Sequence, residues 1–116
     1  ASGTASVDRQ ETTVRVVQRR RATQDVDEHA AYMASHNPRA AYRFLAMVED
    51  TFDVLARHPR IGSPRLDHIV SGLRAFPVRS FQSYIVLCFV AGGRVQVVRI
   101  VHGARDLEEL LKGPWA

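Results

Sequence analysis

The stretch "NPRAAYRFLAMVEDTFDVLARHP", Asn37 to Pro59, constrains the fold of this chain more than any other. Asn37 suits a helix N-cap, because its side-chain oxygen accepts an N–H that the first turn leaves without a partner. Pro38 suits the first helical position, where the donor it lacks would have been idle. Ala41, Phe44, Leu45, Val48, Phe52 and Leu55 then recur at spacings of three and four, which lines them along one face. Pro59 stops the helix behind them. The spacing predicts a helix from Pro38 to Arg57, about 30 Å long at 1.5 Å per residue. An apolar face of that length needs a second layer to cover it.

The flanks say what that layer is. "TVRVVQ" (Thr13 to Gln18) is β-branched and mostly apolar, which reads as a strand ended by Arg19, Arg20 and Arg21. A first helix is expected to begin with Thr23 as N-cap, so that Asp25, Asp27 and Glu28 set negative charge against the helix dipole. Its apolar stripe is Val26, Ala30 and Met33. Beyond the long helix, "HPRIGSPRLDHIVSG" carries two prolines and two glycines and reads as a loop. Three strands follow: Leu73 to Arg79, Ser83 to Val90 and Arg94 to His102, with Ala91 to Gly93 as a hairpin turn. The unbroken apolar run of the middle strand implies burial on both faces, and Pro77 puts its own strand at an edge or a bend. Leu107, Leu110 and Leu111 are helically spaced and should close over the core. Strand, two helices and three strands describe an α+β domain in which a helical hairpin packs on a small, mostly antiparallel four-stranded sheet.

At 116 residues the chain has room for one such domain, expected over residues 13–112, with 1–12 a small, polar, aperiodic tail. No run approaches the roughly 18 apolar residues of a membrane span, and no signal-peptide pattern opens the chain, so the expected location is cytoplasmic with no membrane partner. The one cysteine, Cys88, lies inside "YIVLCFV" and reads as a buried core residue.

Charge narrows the function. The formal net charge is +4 with a sequence pI near 10.0, which points to an anionic partner. Of sixteen basic residues one is Lys112, leaving fifteen arginines. Arginine does not release its proton at working pH, so this set suits holding phosphates or carboxylates better than moving protons. His29, His36, His58 and His68 form no metal-ligand spacing, and no glycine-rich phosphate loop or G-x-S-x-G elbow occurs. Neither a metal nor a cofactor is expected.

Several stretches resemble the ParE/RelE superfamily of toxins from bacterial type II toxin–antitoxin modules, particularly its ParE branch. They are "VRVVQRRRATQDVDEHAAYMA", "NPRAAYRFLAMVEDTFDVLARHPRIGSPR", "GLRAFPVRSFQSYIVLCFV" and "VVRIVHGARDLEELL", and together they cover about Thr13 to Lys112. The resemblance implies a toxin held in check by a cognate antitoxin, whose disordered segment folds on binding. For the ParE branch it implies DNA gyrase as target with no chemistry done by the toxin. For the RelE branch it implies cleavage of messenger RNA on the ribosome.

Ribonuclease chemistry needs a group to take the 2′-hydroxyl proton, one to protonate the leaving oxygen, and positive charge on the phosphorane. The lysines that RelE-like enzymes use are missing from the body of this domain. The remaining candidates are His102, with Arg74, Arg79, Arg99 and Arg105 as phosphate holders and Tyr84 beside them. Strand alternation sends Arg99 and His102 to opposite faces unless a bulge intervenes. His102 therefore reads either as a strand-end residue bonded locally, with Gly103 allowing the turn, or as a general acid or base. The antitoxin surface is expected around Arg15, Arg74, Arg79, Arg99 and Arg105. Gyrase inhibition is the favoured reading and the ribosome-dependent endonuclease the alternative.

Overall fold

The computed structural model describes residues 13–103 and 107–116. Its elements are β1 (Arg15–Gln18), α1 (Arg20–Ala34), α2 (Pro38–Arg57), β2 (Arg74–Val78), β3 (Phe81–Ala91), β4 (Arg94–His102) and α3 (Leu107–Lys112). The expected tail and the expected role of Arg105 lie outside the described residues.

Helix α2 starts and stops where its sequence dictates. The Asn37 side chain accepts the N–H groups of Arg39 and Ala40 at 3.1 and 3.3 Å, and Pro38 opens the first turn. Helix α1 differs from expectation. It begins at Arg20 rather than after Thr23, with Arg19 as an extended N-cap that makes no side-chain cap bond. Asp25, Asp27 and Glu28 consequently fall beyond the first turn. Asp25 is buried and does something else.

Strands run in the order β1-β4-β3-β2. β2, β3 and β4 form an antiparallel meander that starts at one edge, and β4 returns to lie parallel beside β1. β3 is interior and buried on both faces from Tyr84 to Cys88, whereas Pro77 sits exposed on the outermost strand. The hairpin between β2 and β3 turns at Arg79 and Ser80, and Ser80 holds a left-handed φ of 64°.

Each face of the sheet carries its own core. On the first, α1 and α2 press Ala22, Val26, Phe44, Val48 and Leu55 onto Val86, Val95, Val97 and Ile100. Burying a side chain such as Phe44 stabilises the fold by about 2–3 kcal/mol. On the second face, Leu66 and Leu73 of the loop before β2 join Leu107 and Leu111 of α3 over Leu87, Val98 and Val101. The loop that sequence reading leaves bare is thus half of a second core.

Candidate functional site

Strand β1 pairs with β4 only as far as Gln18 opposite Val97, and β4 runs on to His102. The backbone of β4 beyond Val97 would be an open edge. Helix α1 closes part of it with side chains. The Ile100 N–H donates to Oδ2 of Asp25 at 2.9 Å. The Ile100 carbonyl lies 2.8 Å from Nε2 of His29, and since a carbonyl only accepts, that nitrogen carries the proton. Asp25 and His29 are one helical turn apart and serve Ile100 as a neighbouring strand would.

A bulge aims the residues of β4. The register partner of Leu87 is Arg99 and that of Cys88 is Val97, so Val98 is the extra residue. Alternation resets there. Val97 and Ile100 face the helical hairpin while Val98 and Val101 face α3. His102, two residues past Ile100, therefore turns toward the helices, where its ring stacks on Tyr84 with centroids 4.2 Å apart and planes 8° from parallel. His29 meets the same Tyr84 edge-on at 5.0 Å. Burial, and secondarily the Tyr32 hydroxyl, push the Tyr84 phenol above its ordinary value, which keeps it neutral near pH 7.

Arg99 comes to the open edge between the two layers. Its Nε and Nη2 bind the two Asp25 oxygens at 2.7 and 3.1 Å, and Nη1 donates to the Trp115 carbonyl at 2.6 Å. Both partners of the ion pair are almost fully buried. Arg21 adds a longer contact to Asp25 at 3.6 Å. Together these parts line a groove of about 600 Å³, with Asp25 and His29 of α1, Arg99 and His102 of β4, and Leu107 and Leu110 of α3 on its walls.

Arg99 and His102 share this groove, whereas Arg74, Arg79 and Arg15 lie elsewhere. Arg74 reaches from β2 to the carbonyls of Arg60 and Gly62 at 2.9 and 2.7 Å and so ties down the loop after α2. Arg79 pairs with Asp50 of α2 at 2.9 Å, and its backbone N–H donates to Thr51. Arg15 stands exposed on β1. Arg105 is outside the described residues. Sequence reasoning missed Asp25 and His29. The available sign was their place, at helical spacing with Ala22, Val26 and Met33, on the face that must be buried.

The site can grip and position. Arg99 is neutralised in place, Tyr84 is held neutral, and His102 offers one exposed imidazole at the groove mouth.

Residues 16–107 match the family model described as ParE toxin of type II toxin-antitoxin system, parDE. The chain belongs to the ParE toxin family. Among solved structures, this ParE-family chain is similar to one described as "Chromosomal ParDE TA system from P. aeruginosa", at a TM-score of 0.68 and 18% identity. The likeness covers 80% of this chain and 99% of that one, so the α+β architecture is the one that structure has. No curated protein matches the chain.

Proposed function

We infer that this ParE-family chain poisons DNA gyrase by docking on it, without chemistry of its own, and is neutralised by a cognate antitoxin in the cytoplasm. The observation that supports this most is the Asp25–Arg99 pair. A phosphorane needs guanidinium charge free to meet it, and Arg99, which lines the same groove as His102, is already bound to a carboxylate and a carbonyl. Arg74 and Arg79 are likewise engaged and lie outside the groove. No helix among the described residues is long and apolar enough to cross a membrane, so the groove and sheet are read as surfaces for macromolecules in solution.

The antitoxin is proposed as a disordered segment that folds on the toxin, burying apolar area and setting acids against exposed arginines. Likeness to a chain from a ParDE toxin–antitoxin system supports a partner of that kind.

One observation favours a second reading. His102 is exposed, parallel to Tyr84 and at the mouth of a groove, where an imidazole could exchange a proton with a ribose in ribosome-bound messenger RNA. The two readings separate in parallel assays of the purified chain. Loss of supercoiling by gyrase, reversed by the antitoxin, with transcripts left intact on translating ribosomes, is the expected outcome. Transcripts cut on the ribosome with supercoiling unaffected would reverse the assignment.

A further inference from the structure

The described residues cover the second face of the sheet only in part. Leu66, Leu73, Leu107 and Leu111 close it over β2, β3 and the far half of β4, and no residue of β1 joins that core. Val16 of β1 faces the helices, so alternation turns Arg15, Val17 and the still-extended Arg19 to the second face. Arg94 and Gln96 of β4 stand beside them, for Arg15 is in register with Arg94 and Val17 with Gln96. Arg19 donates to the Gln96 side chain at 2.7 Å, which holds its guanidinium over the same surface. Three arginines thus share one open end of the sheet, two of them on adjacent strands about 4.8 Å apart.

Like charges in direct register repel. Among the described residues no carboxylate lies within ion-pair distance of Arg15, Arg19 or Arg94; the ion pairs present engage Arg21, His68, Arg79, Arg99 and Lys112. A juxtaposition that destabilises the free chain is offset when an anion spans it. The anion's class follows from what else is present. Protein partners are held by aromatic or aliphatic anchors, and the exposed large apolar side chains, Tyr32, Tyr42, Leu45 and Ile61, all belong to the helices or the loop after α2. Single-stranded nucleic acid is held by stacking on exposed aromatics, and the aromatic at this end, Phe89 in register with Gln96, is half-buried and packed into the second core. Guanidinium groups with a polar amide, beside Val17 and Phe89 that are half-buried and not fully exposed anchors, match the phosphates of a duplex backbone.

We propose that the open end of the second sheet face, Arg15, Arg94 and Arg19 steadied by Gln96, is a binding surface for the phosphate backbone of duplex DNA. The choice of DNA over duplex RNA rests on the gyrase reading, in which the toxin sits beside cleaved DNA; the surface itself does not depend on that reading.

The test is fluorescence anisotropy of a short mixed-sequence DNA duplex titrated with the purified chain at rising salt, with no gyrase present. Three phosphates neutralised give a slope of log affinity against log salt of about −2.7. Arg15→Glu with Arg94→Glu is expected to flatten the slope to about −1 and weaken binding by about tenfold or more. The exposed pair Arg39→Glu with Arg65→Glu makes the same change in net charge and is expected to keep most of the slope. Thermal melts confirm that each variant folds, and Arg15→Gln with Arg94→Gln replaces the first pair if it does not. Equal losses in both pairs, an RNA duplex bound more tightly than DNA, or antitoxin binding lost while DNA binding stays intact would overturn the proposal. DNA binding that follows the prediction while supercoiling is untouched removes the gyrase reading and leaves this surface standing.

Discussion

The guanidinium of Arg99 lies against both carboxylate oxygens of Asp25, at 2.7 and 3.1 Å, and one of those oxygens also takes the Ile100 N–H at 2.9 Å. One carboxylate therefore joins α1 to β4 and fills the backbone position that β1 leaves empty. Asp25→Ala leaves a buried cation and a buried N–H without partners and should cost about 3–5 kcal/mol. Asp25→Asn keeps an acceptor for Ile100 and should cost less. Denaturant unfolding of Asp25→Ala, Arg99→Met and the double variant should give a strong coupling, with the double variant more stable than the sum of the singles implies. Additive losses would mean that the pair does not hold the two elements together.

His29 completes the same edge through its bond to the Ile100 carbonyl. His29→Ala should lower stability by about 1 kcal/mol, the net worth of a typical internal hydrogen bond, in addition to its lost ring contact with Tyr84. Amide exchange should quicken along the end of β4 more than along β3. Uniform exchange across the sheet would contradict a local role.

Burial pushes the Cys88 thiol up to about 11, with Arg74 pulling the other way. The folded chain then keeps the proton while the unfolded chain releases it near 9, so stability is complete below that pH and falls as pH climbs toward 11. The loss approaches about 3 kcal/mol at 1.36 kcal/mol per unit. Tyr84, shifted in the same direction, adds to the fall above its ordinary value. Cys88→Ala should unfold with a flatter alkaline profile than the wild type, and Cys88 should resist thiol reagents until the chain unfolds. Rapid labelling of the native chain would contradict its burial.

Much of this was legible in the sequence. The Asn37 cap, Pro38 and the stripe from Ala41 to Leu55 are local, and α2 runs from Pro38 to Arg57 as they predict, although Leu45 of that stripe is exposed. The β3–β4 hairpin and the exposed Pro77 are also local matters of turn chemistry and a missing donor. The start of α1 was not legible, because an extended Arg19 supplies the N-cap and no capping side chain marks it. Asp25 looked like a dipole partner since nothing nearby in sequence hints at Arg99, 74 residues on. Alternation sets Arg99 and His102 on opposite faces, and it holds, since the bulge at Val98 precedes both; one groove takes in both side chains because it lies at the open edge of β4, where Arg99 reaches Asp25 of α1. Contacts that cross the sheet decide the site, and periodicity does not carry them.

The Asn37 cap makes a clean local test. Asn37→Ala removes the acceptor for two backbone N–H groups and should cost about 1 kcal/mol. Asn37→Asp or Asn37→Ser should recover most of it. A loss no larger than that of an exposed alanine substitution elsewhere on α2 would show that packing, and not the cap, sets the helix start.

The central claim is that this ParE-family toxin acts by occupying its target, with His102 as a structural stacking partner of Tyr84. The most direct measurement is growth arrest by His102→Ala expressed without antitoxin, with the variant's fold checked by thermal melting. Arrest as strong as that of the wild type is the predicted result, since loss of the stack should cost only about 0.5–1.5 kcal/mol of stability. A folded His102→Ala that no longer arrests growth, with cellular transcripts intact where the wild type cuts them, would contradict the account.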